Sequence, residues 1–397
     1  MKIRIEPLPV AAAVPAGLPF LRLGFRPFYF GAALFAVLAM VLWYGVFLGQ
    51  LVPPSGLAPV LWHAHEMLFG FAAAVIVGFL LTAGKAWTGL PTPHGAALGA
   101  LFTLWAAARV AAVAAPYPVF FALDVALLPV VAAVFIAVLV RAGNKRNLKI
   151  GAVLALLGVA NLVFHLAVSG IVALDPVRAL YAGLGLIIVL ETIMGGRVIP
   201  NFTMNATPGL KLAAAPRRDA VVTVLTVLGL ACWSFDGPPL VAAGLLAAAA
   251  IMHVVRWFAW LPWVTLSRPI LWILHVSYAW IPIGLALLAA SQMGWIPASG
   301  GIHALAVGAT GGLIIGMLTR TARGHTGRPL KVSHVETCAY LLVLAAALVR
   351  VAVPIAWPSL YLAALLTAGG LWVAAFAIYL VKYTPWLMST RLDGKDG

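Results

Sequence analysis

The stretch Trp62–Pro91, WHAHEMLFGFAAAVIVGFLLTAGKAWTGLP, decides the fold. After Glu66 it carries no charge until Lys85. At about 1.5 Å of helical rise per residue, that run crosses the roughly 30 Å of hydrocarbon in a bilayer. His63 and His65 are then expected at one membrane interface. The stretch returns, ungapped, 238 positions later as HALAVGATGGLIIGMLTRTARGHTGRP, starting at His303. Eight positions are identical, among them His65/His303, Gly70/Gly308, Gly78/Gly316 and Pro91/Pro329, and Lys85 meets Arg323. Arg26-Pro27 ahead of the first copy resembles Arg268-Pro269 ahead of the second, so the repeat covers a helix pair, around 26–91 and 268–329. Gly185, Arg197 and Thr203 stand 123 positions before Gly308, Arg320 and Thr326, which suggests a fainter third copy. Repeats in one orientation build a ring around a site.

Composition sets the class. With 64% apolar and 9% charged residues and a mean hydropathy of +1.07, the chain is not a soluble domain, which needs about a quarter of its residues charged. It reads as an all-α integral membrane protein in contact with the lipid bilayer. Twelve spans are expected, near 27–49, 64–86, 95–114, 117–140, 148–170, 177–199, 219–236, 238–258, 269–291, 302–322, 334–353 and 358–381. The repeat would divide them into three pseudo-symmetric groups of four. The net charge of +15 does not call for a nucleic acid. On this topology every Lys and Arg falls on one side except Arg109, Arg178 and Arg350, which is the positive-inside bias and puts both termini in the cytoplasm. Residues 1–26 then form a cytoplasmic N-terminal segment, 27–381 one membrane domain and 382–397 a cytoplasmic tail, in a bacterial cytoplasmic (inner) membrane. Pro7, Pro9, Pro15 and Pro19 break the apolar run that a signal peptide would need. Cys232 and Cys338 fall at opposite faces of the bilayer, so no disulfide joins them, and no CxxCH marks covalent haem attachment. The longest loop is expected at 200–218.

Ionisable groups inside spans cost a few kcal/mol each, so each needs a partner or a function. One group, His63, His65, Glu66, Asp124, Asn161, His165, Tyr181 and His303, belongs near the periplasmic ends. A second, Glu191, His253, His275, His334 and Glu336, belongs in the cytoplasmic half. In the first group His65 and His303 are expected to be axial ligands of one non-covalent haem b, with small side chains such as Ala72, Ala73 and Gly311 leaving room for a porphyrin plane. The plain alternative is that the small residues only let helices approach and that each histidine bonds a neighbouring helix. His63 lies roughly 200° around a helix from His65, so it points to a second site. There His165 could join His63 and Glu66 around copper. The alternative is an interfacial His63, with Asn161 and His165 as interhelical contacts. Arg350, on the arginine-poor side, is a candidate partner for a haem propionate, as Arg109 or Arg178 would be, with an exposed interfacial arginine as the alternative. In the cytoplasmic half Glu191, His275 and His334 suggest a proton path or a second metal site, with structural ion pairs as the alternative.

The whole chain resembles the NnrS family of membrane proteins linked to bacterial nitric oxide metabolism. The resemblance rests on GFRPFYFG at 24–31, WHAHEMLFGF at 62–71, GFLLTA at 78–83 with WTG at 87–89, GGRVIPNFT at 195–203, RPILWILHVSYAWIPIGL at 268–285 and HALAVGATGGLIIGM at 303–317. It implies a twelve-span protein carrying haem and copper, associated with denitrification or with protection from nitric oxide and nitrosative damage. A more distant likeness is to the catalytic subunit of haem-copper oxidases and nitric oxide reductases, whose haem-ligating histidines sit on spans two and ten, as His65 and His303 would. The chain departs from those enzymes at Gly301, where they carry a further haem ligand, and spans six and seven contain no histidine for their copper. Copper here would use other residues, and His63, His165 and His275 are the candidates. The expectation is a haem and copper protein that handles nitric oxide by redox chemistry, possessing an oxidoreductase activity, or by binding, with an electron donor the sequence does not name. A proton-coupled transporter without a tight cofactor is the rival reading.

Overall fold

The computed structural model describes residues 17–52 and 56–394. Lys2, Arg4 and Lys395, which entered the charge count, lie outside the described residues, as does most of the N-terminal segment. The described residues form twelve long helices and no strand. In chain order they are α1 Phe25–Phe47, α2 Pro59–Thr88, α3 Gly95–Ala114, α4 Tyr117–Arg141, α5 Leu148–Val168, α6 Pro176–Ala206, α7 Pro216–Ser234, α8 Pro239–Phe258, α9 Pro269–Gln292, α10 Ala298–His325, α11 His334–Ala356 and α12 Tyr361–Met388. Prolines open α2, α6, α7, α8 and α9, where a missing N–H costs nothing. Cys232 and Cys338 are free.

Among the described residues, eleven helices are long and apolar enough to cross a membrane. The exception to the expected twelve is α7, whose first turn holds Arg217, Arg218 and Asp219. Two boundaries also differ from expectation. Helix α6 runs on to Ala206 through Pro200, so the expected loop at 200–218 begins as helix. Helix α12 continues to Met388, seven residues past the expected end, because Tyr383 and Leu387 are buried.

Consecutive helices pack as antiparallel neighbours, and α12 closes against α1. Arg26 seals that closure by donating from Nη1 to the Leu387 and Ser389 carbonyls, both at 2.8 Å. Higher up, Tyr44 donates to the Leu366 carbonyl at 2.6 Å. The two ends of the described chain therefore lie at one end of the bundle. The repeat helices are the most enclosed spans. In their most apolar stretches 83% of α2 and 72% of α10 is buried, against 33% to 61% in the other spans.

The repeat is visible in the backbone. Immediately after His65, α2 widens into a π-helical segment, Glu66–Ala72, and immediately after His303, α10 does the same over Ala304–Gly311. Such segments free carbonyls from the α pattern and recur at functional sites. Here Trp105 of α3 donates to the Gly70 carbonyl at 2.9 Å. The repeated glycines admit the preceding helix. Gly78 sits under Phe28, where an added Cβ would come within 2.9 Å of the Phe28 Cβ, and Gly316 takes Leu274 of α9 at 2.8 Å in the same way. Contact this close replaces the hydrophobic drive that lipid does not supply.

Candidate functional site

Two centres occupy the end of the bundle away from Arg26 and Ser389. The first is a cavity of about 400 Å³ between the starts of α2, α6, α10 and α12 and the ends of α1 and α11. Its volume falls in the range of small-molecule and cofactor pockets. The walls are apolar, with Phe71, Leu184, Val307 and Trp372 among them. The polar groups reaching it include His63, His303, Thr310 and Arg350. His63 stacks on Trp43 at 4.3 Å, and its Nδ1 has no hydrogen-bond partner. His303 donates from Nδ1 to the Ser299 carbonyl at 2.8 Å. That bond fixes the ring and leaves Nε2 as the lone-pair nitrogen, the arrangement usual for a metal-ligating histidine. Arg350 is held by the Tyr361 hydroxyl at 3.3 Å.

The second centre is a buried acid and imidazole cluster on the α3, α4 and α5 side of α2. His65 is fully buried. Its Nδ1 donates to Glu66 Oε1 at 3.0 Å, while Nε2 faces Asn161 Oδ1 at 2.9 Å and Asp124 Oδ2 at 3.3 Å. Asn161 donates to Asp124 Oδ2 at 2.7 Å, which fixes its amide and keeps its oxygen toward His65. His165 places Nε2 3.1 Å from the same Asp124 oxygen and Nδ1 2.8 Å from the Tyr117 hydroxyl. Arg109 bridges the two acids, reaching Glu66 Oε1 at 2.7 Å and pairing with Asp124 Oδ1. Phe69, Phe120 and Phe164 wall the cluster off.

The cluster is one positive charge short. Glu66 and Asp124 supply two negative charges and Arg109 one positive. His65 Nε2 meets two oxygen acceptors, a contact that a proton or a metal ion between them relieves. One donor atom each from His65, Asp124 and His165 lie within 4.8 Å of one another, a small adjustment from metal–ligand bonds of about 2.0–2.2 Å. Two imidazoles and a carboxylate suit copper, zinc or iron, and Glu66 behind His65 is the carboxylate partner that orients a metal-bound imidazole.

These positions group the residues differently from the sequence-based expectation. His65 and His303, aligned in the repeat, do not share a cavity. The asymmetry lies in the next residue, where α2 has Glu66 and α10 has Ala304, so the acid and its partner Arg109 draw His65 toward α3 to α5. His63, whose counterpart in α10 is Gly301, reaches the cavity instead. His165 joins His65 and Asp124 rather than His63. His275 of α9 bonds the Thr203 hydroxyl at 2.9 Å and lines neither centre. Arg350 lines the same cavity as His303, whereas Arg109 belongs to the acid cluster and Arg178 pairs with Asp236 at 2.5 Å. Glu336 is an ion-pair centre, bound by Arg323 at 2.8 Å and Lys382 at 3.1 Å. The part played by Tyr117 had no signal in the sequence. Arg109 was marked by its place on the arginine-poor side.

No curated protein matches the chain. The family described as NnrS protein matches residues 19–391, nearly the whole length. The chain therefore belongs to the NnrS family, a membership that fits a role in nitric oxide-related metabolism or response.

Proposed function

We propose that this is a haem and copper protein of the bacterial inner membrane that acts in nitric oxide metabolism or in protection from nitrosative stress, by redox chemistry or by binding the gas. The observation that carries the reading is the pairing of two distinct centres at the same end of the bundle, an apolar cavity lined by His63 and His303 and a buried group of metal-ligating side chains. Haem b fits the larger cavity. His63 and His303 would hold its iron, the apolar walls would bury it, and Arg350 would meet its carboxylates. Copper fits His65, Asp124 and His165. When bound, these groups would supply one-electron chemistry near a small diatomic ligand. The chain's own residues supply the rest: Ser299 and Trp43 orient the cavity imidazoles, Glu66 and Tyr117 orient the cluster imidazoles, and Arg109 balances charge. With the basic helix ends cytoplasmic, both centres lie toward the periplasmic face.

The test is an absorption spectrum of the purified protein, oxidised and reduced, before and after nitric oxide, with metal analysis of the same sample. A Soret band with stoichiometric iron and copper supports the reading, and a shift on adding nitric oxide marks direct binding. A haem-free protein from cells grown with ample haem overturns it and favours a transporter.

A further inference from the structure

Glu191 of α6 has no place in either centre. Its Oε2 is buried without a hydrogen-bond partner. It lines a second, smaller cavity of about 110 Å³ between α1, α2, α6, α9 and α10, whose other walls are apolar except for Tyr29.

Beside Glu191 stands Thr310, in the π-helical segment of α10. Thr310 is part of the wall of the larger cavity, and its hydroxyl faces the Glu191 carboxyl. One threonine side chain thus separates the Glu191 carboxyl from the larger cavity, which His63 and His303 also line. A buried carboxyl oxygen left unpaired costs free energy, so Glu191 Oε2 calls for a use.

We propose that Glu191 is the proton-binding group coupled to charge change in the larger cavity. The inference rests on the haem reading of that cavity. In the oxidised protein the ionised carboxylate balances the positive charge of the bound centre. When a one-electron reductant delivers an electron, that charge is lost, and one proton from water binds Glu191 Oε2. An O–H bond forms, no bond breaks, and the net charge of the region stays constant. Coulombic coupling of this kind is strong where little water screens it. The other ionisable groups facing these spaces are Tyr29 in the smaller cavity and His63, His303, Arg350, Tyr181 and Tyr361 in the larger, so the carboxyl must be tested by substitution.

The experiment is a redox titration of the haem-loaded protein against pH, with reduced-minus-oxidised infrared difference spectra. In the wild type the midpoint potential should fall by about 59 mV per pH unit, the one-electron equivalent of a tenfold change in proton activity. A carboxyl C=O signal should appear on reduction. Glu191→Gln should flatten the slope and remove that signal, and Glu191→Asp, which keeps the carboxyl, should restore both. An unchanged slope in Glu191→Gln, or no carboxyl signal in the wild type, overturns the proposal. A wild-type protein with no Soret band overturns the haem reading instead, so the two failures are distinguishable.

Discussion

His63 and His65, two residues apart on α2, serve opposite sides of the helix: His63 lines the large cavity with His303, while His65 is locked between Glu66 and Asn161. Each histidine should therefore govern a different cofactor. The metal cluster gives the first separation. Asp124→Asn or His165→Ala should lose bound copper and leave the Soret band in place, as read by metal analysis and absorption on one sample. Haem loss in step with copper loss would merge the two centres.

Arg109 is 6% exposed and touches both acids. Removing one partner from a buried ion network costs about 3–5 kcal/mol, because the remaining charges stay uncompensated. Arg109→Met should lower unfolding stability in detergent by that order. Adding Glu66→Gln should recover part of the loss, a non-additivity expected of residues in direct contact.

Arg350 reaches the cavity from the end of α11. A charge-assisted hydrogen bond to a propionate contributes about 1.5–3 kcal/mol. Arg350→Met should speed haem transfer to an acceptor protein at least about tenfold, since 1.4 kcal/mol is a factor of ten. An unchanged rate would remove Arg350 from the cavity's function.

Gly78 meets both a side chain and a backbone atom of α1, with an added Cβ 2.9 Å from Phe28 Cβ and 3.2 Å from the Gly24 carbonyl oxygen. Neither is a flexible chain end. Gly78→Ala should destabilise the fold by about 1–3 kcal/mol, as overpacking does. Gly99, with its nearest neighbour Leu21 at 3.5 Å, has room for the methyl and serves as the control.

Apolar run length fixed the helices, since a span must satisfy its backbone internally. The weak cases were helix ends: α6 and α12 continue beyond their apolar windows because side chains such as Thr203 and Tyr383 pack on neighbours. His63, His65, Glu66, Asp124, Asn161, His165 and His303 were legible as polar residues at one depth, but their sorting into two centres was not. A repeat alignment equates His65 with His303 by position and says nothing about helix rotation or about Glu66 standing where α10 has Ala304. Residues distant in sequence, such as Tyr117 beside His165, meet only through packing of α4 on α5.

The central claim is that the imidazoles of His63 and His303 together hold the haem. The direct measurement is the haem-to-protein ratio and reduced spectrum of His63→Ala, His303→Ala and His65→Ala, purified alike. The account predicts haem loss or a changed axial-ligand spectrum in the first two, with the wild-type spectrum kept in His65→Ala. A normal Soret band in His63→Ala together with haem loss in His65→Ala would contradict it.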